Sequence, residues 1–598
     1  MFKEARKRFT GRKDLIFIIF LGLIPLFSWF KDDFLIIGGD MWYLINPSSL
    51  TEYFKYFWNV KVLNAGYPHP VQDLFPMLLF WSFFQNFGIS IIITQKLWIT
   101  FLFLFPGISM YYLMSVIYNN KWAKITSATL YMFNIYLLQV GPYQPNVKLV
   151  LIALPLMLAF LIKGLDNKQL FRYSFLIGLT SLIYAQSNVN PPLIIVASLV
   201  LFTYLLFHIL SLRSNVFHNL KFFSMIFLIY LLVNVWWIGT YSYYAITQYS
   251  IIKGVTLFAA LNTGGLTEFF RLFGSWAWGY HMYFPYNYHY DTHFLILITF
   301  LVPLLVFIPI LLERKNKNIL FFTTLAIIGI FLAKGTAEPF GYVYEFLYNE
   351  LPGFFIFREP FAKFTLITLF SYSILLGIST DIICKKIKKW ELKRNYSFRL
   401  SNIFPILILI IVLTSAFPLI TGDVILNHTE GPMRTFYVKI PEYWHNVGYW
   451  SHSQDENFRI FLTPKSGYGS VYNWEHGYNG EPAIMLLQKP VLKYSSFPMS
   501  YTDNFVNTIY DHIKPDSPKQ VAKLLGMLNS RYVLQQNDLA WDLGVEDTYS
   551  SMQMREILQN QSGINLQKSF GKLDLYKISD EYFLPHIYAS PDKTGLED

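Results

Sequence analysis

The chain has 598 residues, of which 54% are hydrophobic, 19% aromatic and only 14% charged. Soluble proteins carry about 25% charged residues, so this composition excludes an ordinary soluble enzyme and indicates an integral membrane protein. The net charge of +10 does not indicate a nucleic-acid partner, because most Lys and Arg form short clusters between apolar runs, where they set topology. The single cysteine, Cys384, excludes an internal disulfide and a cysteine-based metal site.

Apolar stretches of roughly 16 to 25 residues predict about eleven membrane spans. Their bounds are 15–31, 95–118, 123–140, 148–164, 171–187, 191–212, 219–243, 292–312, 318–334, 361–384 and 401–421. We expect the first stretch to remain in the protein and not to be a cleaved signal peptide, since no small-residue cleavage site follows it.

The positive charges predict the orientation of these spans. Alternate loops are rich in Lys and Arg, most clearly the loop 385–399, which marks them as cytoplasmic. The chain is therefore predicted to be a multi-pass protein of the plasma membrane, with a cytoplasmic N-terminus and an exoplasmic C-terminal region.

The predicted fold class is mainly α: a polytopic helical bundle with a small exoplasmic α+β domain. The transmembrane module is placed at 1–424, with long exoplasmic loops at 32–94, 244–291 and 335–360. Residues 425–598 have the composition of a soluble domain. Strand-like runs occur at 458–462, 531–534 and 573–578, and a helix-like run at 518–528.

No Asp, Glu, Lys or Arg lies near the middle of a predicted span; Lys96, Lys163, Lys334 and Lys363 stand at ends. Ion-coupled transporters need such groups at membrane depth. This pattern disfavours a coupled transporter and favours a membrane scaffold with a pocket on the exoplasmic side.

The first candidate for chemistry is Asp40, which follows Gly38 and Gly39 just beyond the first span. Glycines permit close backbone approach, and partial desolvation at the membrane surface raises a carboxylate's pKa toward that of a general base. The alternative is that Asp40 only caps the segment that follows it.

Later in the same loop stand His69 and Asp73, within a proline-rich stretch that prevents a regular helix over residues 66–76. Both could bind substrate, or a divalent metal together with Asp40, although no two of the three have ligand spacing on one element. Residues 77–90 predict an apolar helix at the membrane interface.

A second cluster precedes the tenth predicted span and contains Arg358, Glu359 and Lys363. Cations at the membrane boundary suit a phosphate or pyrophosphate head group, Arg by bidentate contact and Lys as a point charge. The alternative is interfacial anchoring, with Arg358 paired to Glu268 or Glu359.

Glu268 belongs to a segment, 263–268, that resembles a capped helix start. The aromatic stretch that follows, through Tyr290, is interpreted either as a sugar-stacking surface or as a membrane-interface belt.

These residues together resemble a polytopic glycosyltransferase of the GT-C class, and more narrowly the N-terminal region of the α-(1→3)-arabinofuranosyltransferases and the YfhO-type membrane proteins. The motifs that carry the resemblance are Gly39-Asp40 after span one, Asn46-Pro47, Trp58-Asn59, the proline-rich stretch to Pro76, Arg358-x-Pro360-x-x-Lys363, and the segments 524–534 and 571–576.

The resemblance implies transfer of a sugar from a polyprenyl-phosphate donor to an exoplasmic glycan, lipid or protein, with Asp40 as general base. Members of the class often carry two neighbouring carboxylates, whereas position 41 here is Met. A second acid would have to be Asp73 or Glu268, and the need for a divalent metal stays open. The arabinosyltransferases are also longer and carry carbohydrate-binding modules that have no counterpart in this chain, so arabinose is not carried over. The alternative function is a non-catalytic membrane scaffold or a lipid-linked glycan flippase for cell-surface assembly.

Overall fold

The structure is a computed structural model. It describes residues 13–38, 41, 44–51, 56, 58–60, 64, 66–68, 75–141, 144–167, 169–212, 216–247, 260–280, 283–394, 399–427, 435–467, 469–496, 498, 500–515, 520–543 and 548–588.

The helices, in chain order, are α1 (13–22), α2 (Ile24–Ser28), α3 (Phe75–Asn86), α4 (Ile91–Ile117), α5 (Lys121–Met132), α6 (Ile135–Gln139), α7 (Pro145–Asn167), α8 (Leu170–Ser181), α9 (Pro191–Leu212), α10 (Val216–Thr247), α11 (Leu266–Phe270), α12 (His293–Val306), α13 (Ile308–Leu312), α14 (Lys317–Ala333), α15 (Gly341–Glu350), α16 (Pro360–Lys393), α17 (Leu400–Ser415), α18 (Pro418–Thr421), α19 (Glu442–His452), α20 (Pro482–Leu486), α21 (Tyr501–His512), α22 (Val521–Met527) and α23 (Ser551–Gln559).

The strands are β1 (Leu35–Ile36), β2 (Trp58–Asn59), β3 (Tyr67–Pro68), β4 (Tyr437–Val438), β5 (Arg459–Thr463), β6 (Val471–Tyr472), β7 (Tyr478–Asn479), β8 (Val491–Leu492), β9 (Ser530–Gln536), β10 (Ile564–Phe570) and β11 (Leu573–Ile578).

The chain divides into two compact units. The helical unit comprises residues 1–31 and 93–424, and the mixed unit comprises 32–92 and 425–598. The structure therefore differs from the sequence-based division at 424 in one respect: the first long loop groups with the C-terminal region. Short-range sequence patterns could not indicate this, because the contacts join residues about 400 positions apart.

Helices occupy every one of the eleven predicted apolar segments. Within the described residues, five are long and apolar enough to cross a membrane: Ile91–Ile117, Pro145–Asp166, Pro191–Ser211, Val216–Thr247 and Pro360–Lys393. Three shorter apolar helices are His293–Val306, Lys317–Ala333 and Leu400–Ser415. The protein is thus a helical membrane protein, while the count of eleven spans and their orientation stay predictions.

Helix α16 forms the centre of the helical unit. The apolar stretch within this helix is 94% buried, as expected for a helix that is hydrophobic on every side. Glycines allow its neighbours to come close: a Cβ on Gly329 of α14 would lie 2.9 Å from the backbone nitrogen of Thr368, and one on Gly377 would lie 2.5 Å from the carbonyl oxygen of Ala123 in α5. Such small-residue contacts are typical of helix packing in membranes.

The mixed unit is built on a five-stranded sheet with the order β10-β11-β9-β5-β8. The pairs β10–β11 and β11–β9 are antiparallel, whereas β9–β5 and β5–β8 are parallel. Helices α21, α22 and α23 supply Val506, Leu525 and Ile557 to a core that also contains Phe461 and Val533 from the sheet. The predicted strand and helix runs of this region, and its α+β class, are confirmed.

The first loop is held to this unit by main-chain pairing and by two asparagines. Strand β1 pairs antiparallel with β4, with Leu35 opposite Val438. The buried Asn64 donates to the carbonyl oxygen of Lys493 at 2.9 Å and to Oδ1 of Asp503 at 3.0 Å, and it accepts from the nitrogen of Lys493 at 2.8 Å. Asn46 donates to the carbonyl oxygen of Met485 at 3.3 Å.

Removing the Asn64 side chain tests this attachment. Asn64→Ala leaves a buried amide N–H, a carbonyl and a carboxylate oxygen without that partner, which costs about 1 to 3 kcal/mol for each uncompensated group. We expect a lower melting temperature for the full chain in detergent and faster proteolytic cleavage within 32–92. Asn504→Ala is the matched control, since Asn504 is exposed on α21 beside Asp503. Equal melting and cleavage in both variants would show that Asn64 does not hold the loop.

Candidate functional site

The predicted site residues fall into two groups. Asp40, His69 and Asp73 lie outside the described residues. Glu268, Arg358, Glu359 and Lys363 are described and belong to the helical unit. The structure brings Glu359 and Lys363 into contact. Among the described residues there is no group of three His, Cys, Asp or Glu side chains able to hold a metal ion.

The backbone on both sides of Asp40 is fixed within the mixed unit. On the N-terminal side, the nitrogen of Ile37 donates to the carbonyl oxygen of Phe436 at 2.8 Å, which continues the β1–β4 pairing. On the C-terminal side, Met41 is buried and its nitrogen donates to the carbonyl oxygen of Gly38 at 3.1 Å. Gly38 and Met41 are therefore hydrogen-bonded to each other, and Ile37 is bonded to the residue that precedes β4.

Gly38 meets a steric requirement at this point. A Cβ on Gly38 would lie 2.0 Å from Cδ1 of the Phe436 ring, far inside van der Waals contact. Only glycine lets the chain pass the ring at this distance. Of the two glycines noted in the sequence, Gly38 is thus required because the backbone passes close to the Phe436 ring, just before β4.

The aromatic ring of Phe34 strengthens the same attachment. Its centroid lies 4.6 Å from that of His476 in a perpendicular arrangement and 6.4 Å from that of Tyr437. Edge-to-face aromatic pairs contribute about 0.5 to 1.5 kcal/mol beyond their buried area. The start of the first loop is therefore positioned by main-chain and ring contacts together.

The cationic cluster stands where α16 begins. Nζ of Lys363 lies 3.1 Å from Oε2 of Glu359, and the Lys363 side chain is 5% exposed against 27% for Glu359. Burial alone would raise the pKa of Glu359, but the charges of Lys363 and Arg358 and the hydrogen bond from Lys363 hold that pKa below its usual value. Lys363 and Glu359 form an ion pair at helical i, i+4 spacing, and the predicted anchoring of Arg358 by Glu268 or Glu359 stays a prediction.

The backbone beside Arg358 is anchored independently of its side chain. The carbonyl oxygen of Arg358 accepts from the nitrogen of Ala260 at 2.9 Å. The hydroxyl of Tyr344 donates to the carbonyl oxygen of Phe357 at 2.8 Å. The guanidinium is therefore carried on a fixed main chain at the start of α16.

Glu268 acts as a helix cap. Its Oε2 accepts from the nitrogen of Gly265 and from the hydroxyl of Thr267, each at 3.0 Å, at the start of α11. The capped helix start predicted from residues 263–268 is confirmed. A substrate role for Glu268 stays a prediction.

The aromatic stretch after α11 divides into exposed and buried rings. Trp276, Tyr280 and Tyr283 are exposed and lie within 6.2–6.3 Å of one another, centroid to centroid. Tyr286 and Tyr290 are buried. The exposed rings fit either of the two predicted interpretations, a sugar-stacking surface or an interface belt.

Sequence reasoning did not single out Asp538 of the mixed unit. This carboxylate is 1% exposed, and its Oδ2 accepts from the hydroxyl of Tyr443 at 3.0 Å and from Nε1 of Trp444 and Trp474, each at 2.8 Å. Burial raises its pKa although these hydrogen bonds oppose the shift. Its signal in the sequence is weak, because the three donors lie 64 to 95 positions away.

Known proteins resemble this chain in sequence and in fold. The family model described as alpha-(1->3)-arabinofuranosyltransferase, N-terminal GT-C domain, matches residues 71–588. No protein of the curated set matches the chain.

Solved structures are similar to this chain to different degrees. The cryo-EM structure of arabinofuranosyltransferase AftD from Mycobacteria has a TM-score of 0.65 at 16% identity, over 95% of this chain and 40% of that chain. A mutant of AftD gives 0.62 at 15% identity, over 96% and 42%. The oligosaccharyltransferase AglB from Archaeoglobus fulgidus gives 0.48 at 11% identity, over 96% and 75%.

The chain spans about 40% of the length of AftD, and the likeness to AftD establishes the fold. The family follows from the sequence model, which covers most of the chain from the proline-rich loop to the end of the mixed unit. The protein belongs to the family of α-(1→3)-arabinofuranosyltransferase N-terminal GT-C domains.

Proposed function

We propose that the protein is a membrane glycosyltransferase that moves a sugar from a polyprenyl-phosphate donor to an exoplasmic glycan, lipid or protein acceptor. The observation that carries the proposal is the family match over residues 71–588. Eight apolar helices in the described residues supply the membrane setting that a lipid-linked donor needs.

Asp40 is proposed as the general base. Its carboxylate takes the proton of the acceptor hydroxyl while the hydroxyl oxygen forms a bond to the anomeric carbon of the donor sugar. The bond between that carbon and the phosphate oxygen breaks, and its electron pair leaves with the polyprenyl phosphate. The fixed backbone at Gly38 and Met41 supports this role, because a base must be held at hydrogen-bond distance from its proton.

Arg358 and Lys363 are proposed to stabilise the departing phosphate, which needs cations more than an acid. The negative charge of Glu359 offsets one of the two positive charges, so the three side chains carry one net positive charge when all are ionised. Lys363 is buried and pairs with Glu359, and the charge of Arg358 also acts on that carboxylate. His69, Asp73 and Glu268 are proposed to contact the sugar or the acceptor, with a divalent metal as an open alternative for the acids.

Replacing Asp40 tests the base. Asp40→Asn keeps the shape and removes the basic oxygen, so transfer from a purified lipid-linked sugar should fall by about 10²-fold or more. Asp33→Asn, in the same loop and exposed, should keep full transfer. Unchanged melting in both variants excludes a folding defect, and full activity of Asp40→Asn would favour the scaffold alternative.

Gly38→Ala tests the positioning of the same segment. The added Cβ collides with Phe436 and should displace Asp40, lowering kcat by about tenfold for each 1.4 kcal/mol of lost transition-state stabilisation. Adding Phe436→Leu removes the ring and should restore part of the rate. Gly279→Ala is the control, since a Cβ there meets no atom within 4 Å. Absence of rescue would mean that the loss at Gly38 does not arise from this contact.

Arg358→Ala should weaken binding of isolated polyprenyl phosphate in nanodiscs by about 1.5 to 3 kcal/mol, the scale of a hydrogen bond to a charged group. Arg358→Lys should recover only part, because bidentate geometry is lost. Arg172→Ala, an exposed arginine that donates to Gln169, serves as control. Equal affinity in all three proteins would assign Arg358 to anchoring alone.

A further inference from the structure

The mixed unit contains a cavity whose lining residues are far in sequence from the proposed base. It has a volume of about 400 Å³ and lies between the segment 439–445, the segment 473–475 and Lys572. This volume is within the usual range for small-ligand sites, about 300 to 1,000 Å³. Every lining residue belongs to the same compact unit.

Charges of both signs line the cavity in balance. Lys439 and Lys572 supply donors, Glu442 and Glu475 supply acceptors, and the amide of Asn473 supplies both. An anionic ligand would meet two carboxylates and a cationic ligand two ammonium groups. A neutral ligand with many hydroxyl groups, which donates and accepts at each position, matches this lining best.

Two aromatic side chains that line the cavity are held in place by hydrogen bonds to a buried residue. Tyr443 and Trp474 line the cavity, and both donate to Oδ2 of the buried Asp538. The Trp474 ring also stacks on Tyr478 at 4.5 Å with an interplanar angle of 9°. The nitrogen of Asn473 donates to the carbonyl oxygen of Asp538 at 2.7 Å, so the neighbouring polar residue is fixed by the same aspartate. A buried polar network of this kind fixes side-chain orientation.

Oδ1 of Asp538 has no hydrogen-bond partner among the described residues, although the carboxylate is buried. A structural carboxylate would ordinarily be satisfied at both oxygens. The other oxygen, Oδ2, accepts from all three ring donors and thereby fixes the rings of Tyr443, Trp444 and Trp474. Pre-organised aromatic and polar groups lower the entropic cost of binding a ligand.

Two residues that line the cavity are sequence neighbours of residues that contact the first loop. Lys439 directly follows β4, whose partner β1 leads to Gly38 and Asp40. Glu475 precedes His476, whose ring contacts Phe34 of the same loop. A ligand held here would therefore lie beside the strand pair that positions the proposed base.

We propose that this cavity binds a neutral sugar unit of a glycan acceptor. The inference rests on the proposed function for the identity of the acceptor, but the binding itself requires neither donor nor catalysis. Asn473, Glu475 and Lys439 contact the hydroxyl groups, and Tyr443 and Trp474 form a fixed aromatic wall.

Saturation-transfer NMR on the full chain in nanodiscs tests the site with defined probes: neutral arabinofuranosyl, mannosyl and glucosyl trisaccharides, a glucuronate-containing trisaccharide and a glucosamine trimer. At least one neutral probe should bind. The double variant Asn473→Ala/Glu475→Ala should weaken that binding by about tenfold, the effect of about 1.4 kcal/mol. Both side chains are exposed, and an unchanged melting temperature of the double variant checks that the loss does not come from the contact of Glu475 with His476.

The matched control is Asn504→Ala/Glu556→Ala, an exposed amide and acid elsewhere in the unit, which should bind as the wild type does. Binding of charged probes alone, or equal binding by both double variants, would overturn the proposal while leaving the proposed function standing. A failure of the proposed function itself would appear differently, as full transfer by Asp40→Asn with sugar binding intact.

Discussion

The attachment of the first long loop to β4 is the constraint on which the proposed chemistry depends. Two residues of β1 pair with two residues of β4, and Gly38 then passes the Phe436 ring at a distance that excludes any side chain. Without this attachment, a loop of some 60 residues would become ordered only when substrate binds. The loss of backbone entropy would then reduce the binding free energy by about 1 to 2 kcal/mol for each residue that becomes ordered. Contacts with Asn46 and Asn64 distribute the attachment along the loop.

The start of α16 shows a second kind of constraint, which is electrostatic. Lys363 lies almost wholly buried, and its charge is compensated by Glu359 one helical turn earlier. Removing one member of a buried pair leaves the other charge uncompensated, which costs about 3 to 5 kcal/mol. Arg358 acts on the same carboxylate and keeps the pKa of Glu359 low together with Lys363. Two cationic side chains and one acid therefore stand together at the start of α16.

The sequence predicted elements whose signals are local. Apolar runs located the helices, the run 518–528 located α22 and the runs 458–462 and 573–578 located β5 and β11 within one or two residues. The cap at Glu268 was readable because its partners lie within three residues. The grouping of residues 32–92 with the C-terminal region was not readable, because β1 and β4 are two residues long and carry no periodic pattern. The contact between Glu359 and Lys363 could also have been predicted, because the two residues have i, i+4 spacing on one helix.

The i, i+4 spacing rule also applies to Lys148, a buried lysine that has no acid one helical turn away. Lys148 stands in the first turn of α7 and is 0% exposed, with its Nζ 4.8 Å from the centroid of the Phe103 ring and without a hydrogen-bond partner among the described residues. One turn away in either direction the helix offers Gln144 and Ile152, neither of them an acid. A desolvated cation–π contact contributes about 2 kcal/mol, whereas burying an ion costs several kcal/mol. Lys363 and Lys148 are both buried, but only Lys363 has an acid one helical turn away that offsets part of the cost of burial.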